Sequence, residues 1–218
     1  MHMLSHLTTD TKSHILVEAT HDMSEVIIEN GYRPDPDILF NFPGRVRYRR
    51  SNVIFLVRDP RDVIVSHFHQ VTKRAIDPFI FRSISDFVRD EQLGFKRIIY
   101  FYNLWFRYKH IPNNFHLIKY EDLLNNGVFE LDRVCKFLGI KCDISMIEDT
   151  YNKSSASKMR DKEIKNQLEG FNNFGKNKNQ LKVRKAKIGS YLEELNDDDI
   201  AYCNIELKHL DKFFNYSE

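Results

Sequence analysis

Val53-Ile54-Phe55-Leu56-Val57-Arg58-Asp59-Pro60-Arg61-Asp62-Val63-Ile64-Val65-Ser66-His67-Phe68 turns from strand to helix within three residues. The apolar, partly β-branched run Val53–Val57 reads as a buried strand, and it stops at Arg58-Asp59-Pro60. Asp59 suits a helix cap and Pro60 the first helical position, and Ile64, Phe68 and Val71 then recur at helical spacing. Arg58 and Ser66 flank this junction. The first N–H groups of a helix lack intrahelical partners and attract phosphate. An Arg before the helix and a hydroxyl two turns into it would clamp a terminal phosphate from two sides.

Further strand and helix signals alternate along the chain. His14–Asp22 reads as a short strand ending in Thr20-His21, and Phe115–Leu123 as a strand breaking into a loop at Tyr120-Glu121-Asp122-Leu123. Helices are expected at Met23–Glu29, from Ile84, over Phe95–His110, at Leu131–Leu138 and at Ile144–Tyr151. A final helix starts at Asp197-Asp198-Asp199, where negative charge suits the positive end of the helix dipole. Ile98, Phe101 or Tyr102, and Trp105 keep helical spacing and read as core. In the final helix region Ile200, Leu207, Leu210 and Phe214 are expected to face inward. Asn166–Asn179, polar with two glycines, reads as a mobile loop.

Together these segments resemble sulfotransferases that use 3′-phosphoadenosine 5′-phosphosulfate (PAPS). The run Arg58-Asp59-Pro60-Arg61-Asp62-Val63-Ile64-Val65-Ser66 is similar to the family's 3′-phosphate segment, which implies that Arg58 and Ser66 hold that phosphate. Thr20-His21 resembles the Lys-Thr-His element, with Ala19 in place of the Lys, and implies that His21 is the general base. Imidazole suits that task because it titrates near neutrality. Tyr120-Glu121-Asp122-Leu123, followed by Phe137-Leu138-Gly139, resembles the signature whose Tyr lies by the adenine, which implies that role for Tyr120. Arg184-Lys185-Ala186-Lys187-Ile188-Gly189-Ser190-Tyr191 is similar to the C-terminal Arg-Lys-Gly-x-x-Gly-Asp-Trp loop. The resemblance implies that Arg184, Lys185 and the Ala186 backbone lie near the 3′-phosphate. Ala186 keeps the N–H of the family's Gly but not its access to positive φ. Ser154–Met159 corresponds to a segment in which a Phe lies beside the adenine, and Ala156 stands near that position.

The resemblance implies an α/β fold: a P-loop NTPase-like parallel sheet flanked by helices, with the first strand and phosphate loop missing. No Pro-Lys-Ser-Gly-Thr-type segment occurs, and Met1–Leu7 reads as part of the helix that would follow it. A truncated enzyme is favoured over a degenerate, non-catalytic nucleotide-binding member. In either case neighbouring strands are expected to expose an unpaired edge. Residues 1–218 read as one N-terminally incomplete sulfotransferase-like domain with no repeat. The implied reaction moves a sulfuryl group from PAPS to a hydroxyl or amine of a small-molecule, carbohydrate or lipid acceptor, in a monomer or homodimer.

Other classes fit less well. A nucleotide kinase requires Gly-x-x-x-x-Gly-Lys-Ser/Thr, which is absent from the sequence. A formal charge of +2 is too small to argue for nucleic acid, and the basic clusters Arg45–Arg50 and Lys176–Lys187 suit an anionic nucleotide equally well. The three cysteines, Cys135, Cys142 and Cys203, lack metal-ligand spacing and suit a reducing cytoplasm. No apolar run approaches the ~20 residues that span a bilayer, and no metal is expected in the site.

Overall fold

The computed structural model describes Met3, Thr8 and residues 15–20, 45–73, 81–165 and 187–216. In chain order the elements are a 3₁₀ turn (Val46–Tyr48), strand β1 (Asn52–Val57) and helices α1 (Pro60–Lys73), α2 (Ile84–Val88) and α3 (Phe95–Tyr108). Strand β2 (Asn114–Lys119) follows, then α4 (Tyr120–Asn125), α5 (Gly127–Leu138), α6 (Ile144–Lys153) and α7 (Ala156–Ile164). A 3₁₀ turn (Ser190–Glu193), α8 (Asp197–Leu207) and a last 3₁₀ turn (Lys212–Phe214) complete the described chain. The fold is α/β, with β1 and β2 paired in parallel and helices between and after them.

Two strand readings change. Ile15–Thr20 is neither strand nor helix, and Leu16 is 92% exposed. A β-branched run becomes a strand only when a neighbour completes its ladder, and among the described residues only β1 and β2 pair. Tyr120-Glu121-Asp122-Leu123 is not a loop: β2 runs directly into α4, with Glu121 and Asp122 favourably placed in the first helical turn. The buried-strand reading of β1 is also sharpened. Phe55 and Val57 are covered while Leu56 between them is 53% exposed, so β1 alternates and does not bury both faces.

Contacts divide the chain into two compact units. One contains residues 1–19, 54–57 and 116–187. Its core gathers Leu131, Cys135, Ile140 and Ile147, packed by Met3, Ile15, Leu123, Val128, Leu138, Cys142 and Tyr151. Gly139 closes α5 in the left-handed region (φ 68°), and the Ile140 N–H reaches back to the Cys135 carbonyl at 2.8 Å. This helix stop accounts for the glycine of Phe137-Leu138-Gly139. Cys135 Sγ lies 3.1 Å from Cys142 Sγ with no bridge between them, and burial pushes the Cys135 thiol up to about 12.

The other unit contains residues 20–53, 58–115 and 188–218. Its α3 carries the expected inward stripe: Ile98, Tyr102 and Trp105 are buried, joined by Phe95, Ile99 and Leu104. Phe87, fully buried on α2, meets Phe81 at 4.9 Å, His67 at 5.3 Å and Phe68 at 5.6 Å. The expected final helix is α8, capped by Asn196, whose side chain accepts the Asp199 N–H. Leu207, Leu210 and Phe214 are buried as expected, Ile200 only partly, and Cys203 fills the face instead. Asp199 is buried against Arg89, just past the end of α2, and the Ser85 hydroxyl, so one of the three acidic residues tethers α8 while the others stay in solvent. Asn103 of α3 holds the chain beyond α8 by donating to the His209 carbonyl and accepting the Asp211 N–H, each at 2.8 Å.

Candidate functional site

The junction between β1 and α1 has the sequence-expected form, with a different economy of hydrogen bonds at the helix start. Pro60 contributes no N–H. The Arg61 N–H donates to Asp59 Oδ1 at 2.9 Å, and the Asp62 and Val63 N–H groups donate to the Asp59 carbonyl at 2.9 and 3.0 Å. The opening turn of α1 is therefore satisfied from within, and two carboxylates, Asp59 and Asp62, occupy the positive end of the helix. These N–H groups, expected to attract a phosphate, already have acceptors within the chain.

Arg58, expected to hold the 3′-phosphate, directly follows β1. Its backbone is gripped by the buried Tyr102 of α3: the Arg58 N–H donates to the phenol oxygen at 3.0 Å, and that hydroxyl donates to the Arg58 carbonyl at 2.9 Å. Its guanidinium Nη2 donates to Asp62 Oδ2 at 3.0 Å. Ser66 stands exposed on α1. Positions 58, 62 and 66 are four residues apart, which aligns Asp62 and Ser66 on one helix face with Arg58 just ahead of them. Arg61 is committed elsewhere. It clasps Asp59 through two nitrogens at 3.0 and 2.7 Å, donates to Asn204 at 2.9 Å and lies 4.6 Å from the Tyr191 ring centroid.

Asp62 is the residue that the sequence reading missed. Its carboxylate accepts from Arg58 and also from Gly189 N–H, Ser190 hydroxyl and Tyr191 N–H, at 2.9, 2.8 and 3.0 Å. Gly189, in the left-handed region at φ 74°, thereby brings the turn after the basic segment onto α1. The four-residue step from Arg58 to Asp62 to Ser66 was the available signal. Tyr102 gave a weaker one, since it reads equally well as plain core.

Replacing Tyr102 with Phe keeps the packing and removes both bonds to the Arg58 backbone. It is expected to cost about 2 kcal/mol of stability, because a buried N–H and C=O lose their partner. Urea unfolding at neutral pH measures this, and a loss below a few tenths of a kcal/mol would show that the two bonds do not hold Arg58.

The remaining predicted residues distribute unevenly. Tyr120 is half-buried at the first position of α4 and belongs to the unit built around α5 and α6. His21, Arg184, Lys185 and Ala186 lie outside the described residues. Three described histidines have structural places. Burial, with the charge of Arg97, pushes His67 down to about 4, so it is neutral at pH 7. His69 meets Glu194 at 2.7 Å, and His116 stacks on Phe137 at 5.1 Å. Among the described residues no group of three or more His, Cys, Asp or Glu is gathered as a metal would require. Among them also, no helix is long and apolar enough to cross a membrane.

Comparison with known proteins assigns this arrangement to a family. The sulfotransferase domain matches residues 17–205. Sulfotransferase 4A1 of Homo sapiens is 26% identical over 114 residues, covering 49% of this chain and 38% of that protein. The 3-beta-hydroxysteroid sulfotransferase of Cavia porcellus is 25% identical over 133 residues, covering 57% of this chain and 44% of that one. The chain thus matches less than half the length of these relatives. Among solved structures, mouse sulfotransferase SULT7A1 complexed with PAP superposes with a TM-score of 0.60 at 18% identity, covering 77% of this chain and 60% of that chain. Retinol dehydratase in complex with androsterone and inactive cofactor PAP gives 0.58 at 20% identity, covering 76% and 48%. These likenesses support the fold, and the match over residues 17–205 supports more: this chain belongs to the sulfotransferase domain family.

Proposed function

We propose that the protein binds PAPS and transfers its sulfuryl group to a hydroxyl or amine of a small-molecule, carbohydrate or lipid acceptor. The observation that carries this reading is Arg58, held at the end of β1 by Tyr102 and Asp62 within a matched sulfotransferase domain. Arg58 and Ser66 would hold the 3′-phosphate, with Arg184, Lys185 and the Ala186 N–H contributing from the basic segment. Tyr120 would lie by the adenine. Ala156, exposed at the start of α7, offers no stacking surface.

In the reaction the acceptor oxygen or nitrogen attacks sulfur, and the bond from sulfur to the phosphate oxygen breaks. His21 takes the acceptor proton, and adenosine 3′,5′-bisphosphate leaves. Orientation of donor and acceptor supplies much of the rate. The chain would act as one sulfotransferase-like domain, monomeric or homodimeric, in the cytoplasm.

A second reading is favoured by departures from the family's motifs within the chain, Ala19 for the Lys, Ala186 for the Gly and Tyr191 for the Trp. On that reading the protein binds the nucleotide without transferring sulfate. Two measurements separate them: calorimetric titration with adenosine 3′,5′-bisphosphate, and transfer of labelled sulfate from PAPS to a panel of phenol, sterol, carbohydrate and amine acceptors. Saturable binding with transfer is the expected result. Binding without transfer to any acceptor selects the second reading, and no binding overturns both.

A further inference from the structure

Asp62 is 1% exposed, and burying a carboxylate is costly unless it is well paired. Both oxygens are fully used. Oδ2 accepts from Arg58 Nη2 at 3.0 Å and from the Gly189 N–H at 2.9 Å, while Oδ1 accepts from the Ser190 hydroxyl at 2.8 Å and the Tyr191 N–H at 3.0 Å. A carboxylate that merely complemented its own helix start would draw donors from its own turn. Asp62 draws one from the preceding turn and three from residues 127 to 129 positions away.

We propose that Asp62 is a positioning residue for the nucleotide's 3′-phosphate, setting the plane of the Arg58 guanidinium and pinning Gly189-Ser190-Tyr191 beside it. The inference rests on the assignment of Arg58 to that phosphate. A guanidinium is rigid and planar, so anchoring Nη2 directs its other N–H bonds. The donors on Asp62 also compensate its charge, which limits its repulsion of an incoming phosphate.

Asp62→Asn tests this because an amide cannot replace the carboxylate. In either orientation its NH₂ group faces two donors, either Arg58 with Gly189 or Ser190 with Tyr191. Affinity for adenosine 3′,5′-bisphosphate is expected to fall by at least about tenfold, the scale of one lost hydrogen bond to a charged group. Affinity for adenosine 5′-monophosphate, which lacks the 3′-phosphate, is expected to stay within about twofold, well under the tenfold that one such bond carries.

Ser190→Ala, which keeps every charge and removes one of the four donors, is expected to give a smaller loss of the same selectivity. It decides the matter should Asp62→Asn fail to fold. Thermal unfolding of the nucleotide-free variants runs in parallel. Equal losses for both nucleotides, or unchanged or tighter binding of the bisphosphate, overturn the inference. A wild-type chain that does not prefer the bisphosphate over the monophosphate overturns the Arg58 assignment, and the inference with it.

Discussion

Arg58→Ala is expected to weaken binding of adenosine 3′,5′-bisphosphate by on the order of a hundredfold, the equivalent of about 3 kcal/mol. The side chain removed is a fork of donors to a doubly charged anion, and charge-assisted bonds of this kind are among the strongest that proteins make. The fold itself should change less. Asp62 keeps its three donors from Gly189, Ser190 and Tyr191, and Tyr102 continues to hold the backbone at position 58. Arg58→Lys is expected to recover only part of the affinity, because an ammonium restores the charge without the planar fork. Calorimetry on the two variants measures the effect. Affinity for the bisphosphate equal to wild type in Arg58→Ala would show that its 3′-phosphate is held elsewhere.

Phe214→Ala is expected to give a large loss of stability, about 3–5 kcal/mol, the usual range for emptying a buried aromatic site. Phe214 is fully buried, with ring centroids 5.2 Å from Tyr102, 5.3 Å from Phe213 and 6.5 Å from Phe106. The cavity would open behind the phenol that grips Arg58, so the variant is also expected to bind the bisphosphate more weakly at temperatures where it remains folded. Denaturant unfolding followed by tryptophan fluorescence reads the first effect, since Trp105 is the one tryptophan and lies on α3. A loss under about 1 kcal/mol would mean that the last turn of the chain is not part of this core.

Much of the fold was legible because its signals are local. Asp59, Pro60 and the apolar run before them act within one turn, and they place the end of β1 and the start of α1 with no help from distant residues. The stripe on α3 is likewise a property of spacing. Strand assignment failed at Ile15–Thr20 for the converse reason: β-branched residues permit a strand, but pairing makes one. At Tyr120 the family signature was read as a loop, although Glu121 and Asp122 already favoured a helix start.

The candidate site divides in the same way. The residues by themselves were enough for the family, for the strand-to-helix junction and for the candidacy of Arg58 and Ser66, because side-chain type and short spacing carry those conclusions. They did not show that Asp62 is buried. A carboxylate in the first turn of a helix is ordinary at a surface, and nothing near it in the chain implies burial. Its environment comes from Gly189, Ser190 and Tyr191, 127 to 129 residues away, and from Tyr102 holding Arg58 across 44. Hydrogen bonds over such separations exist only once the helices have packed, so the burial of Asp62 and the grip on the Arg58 backbone were settled by tertiary contacts, while the Arg58–Asp62 pair itself spans only four residues.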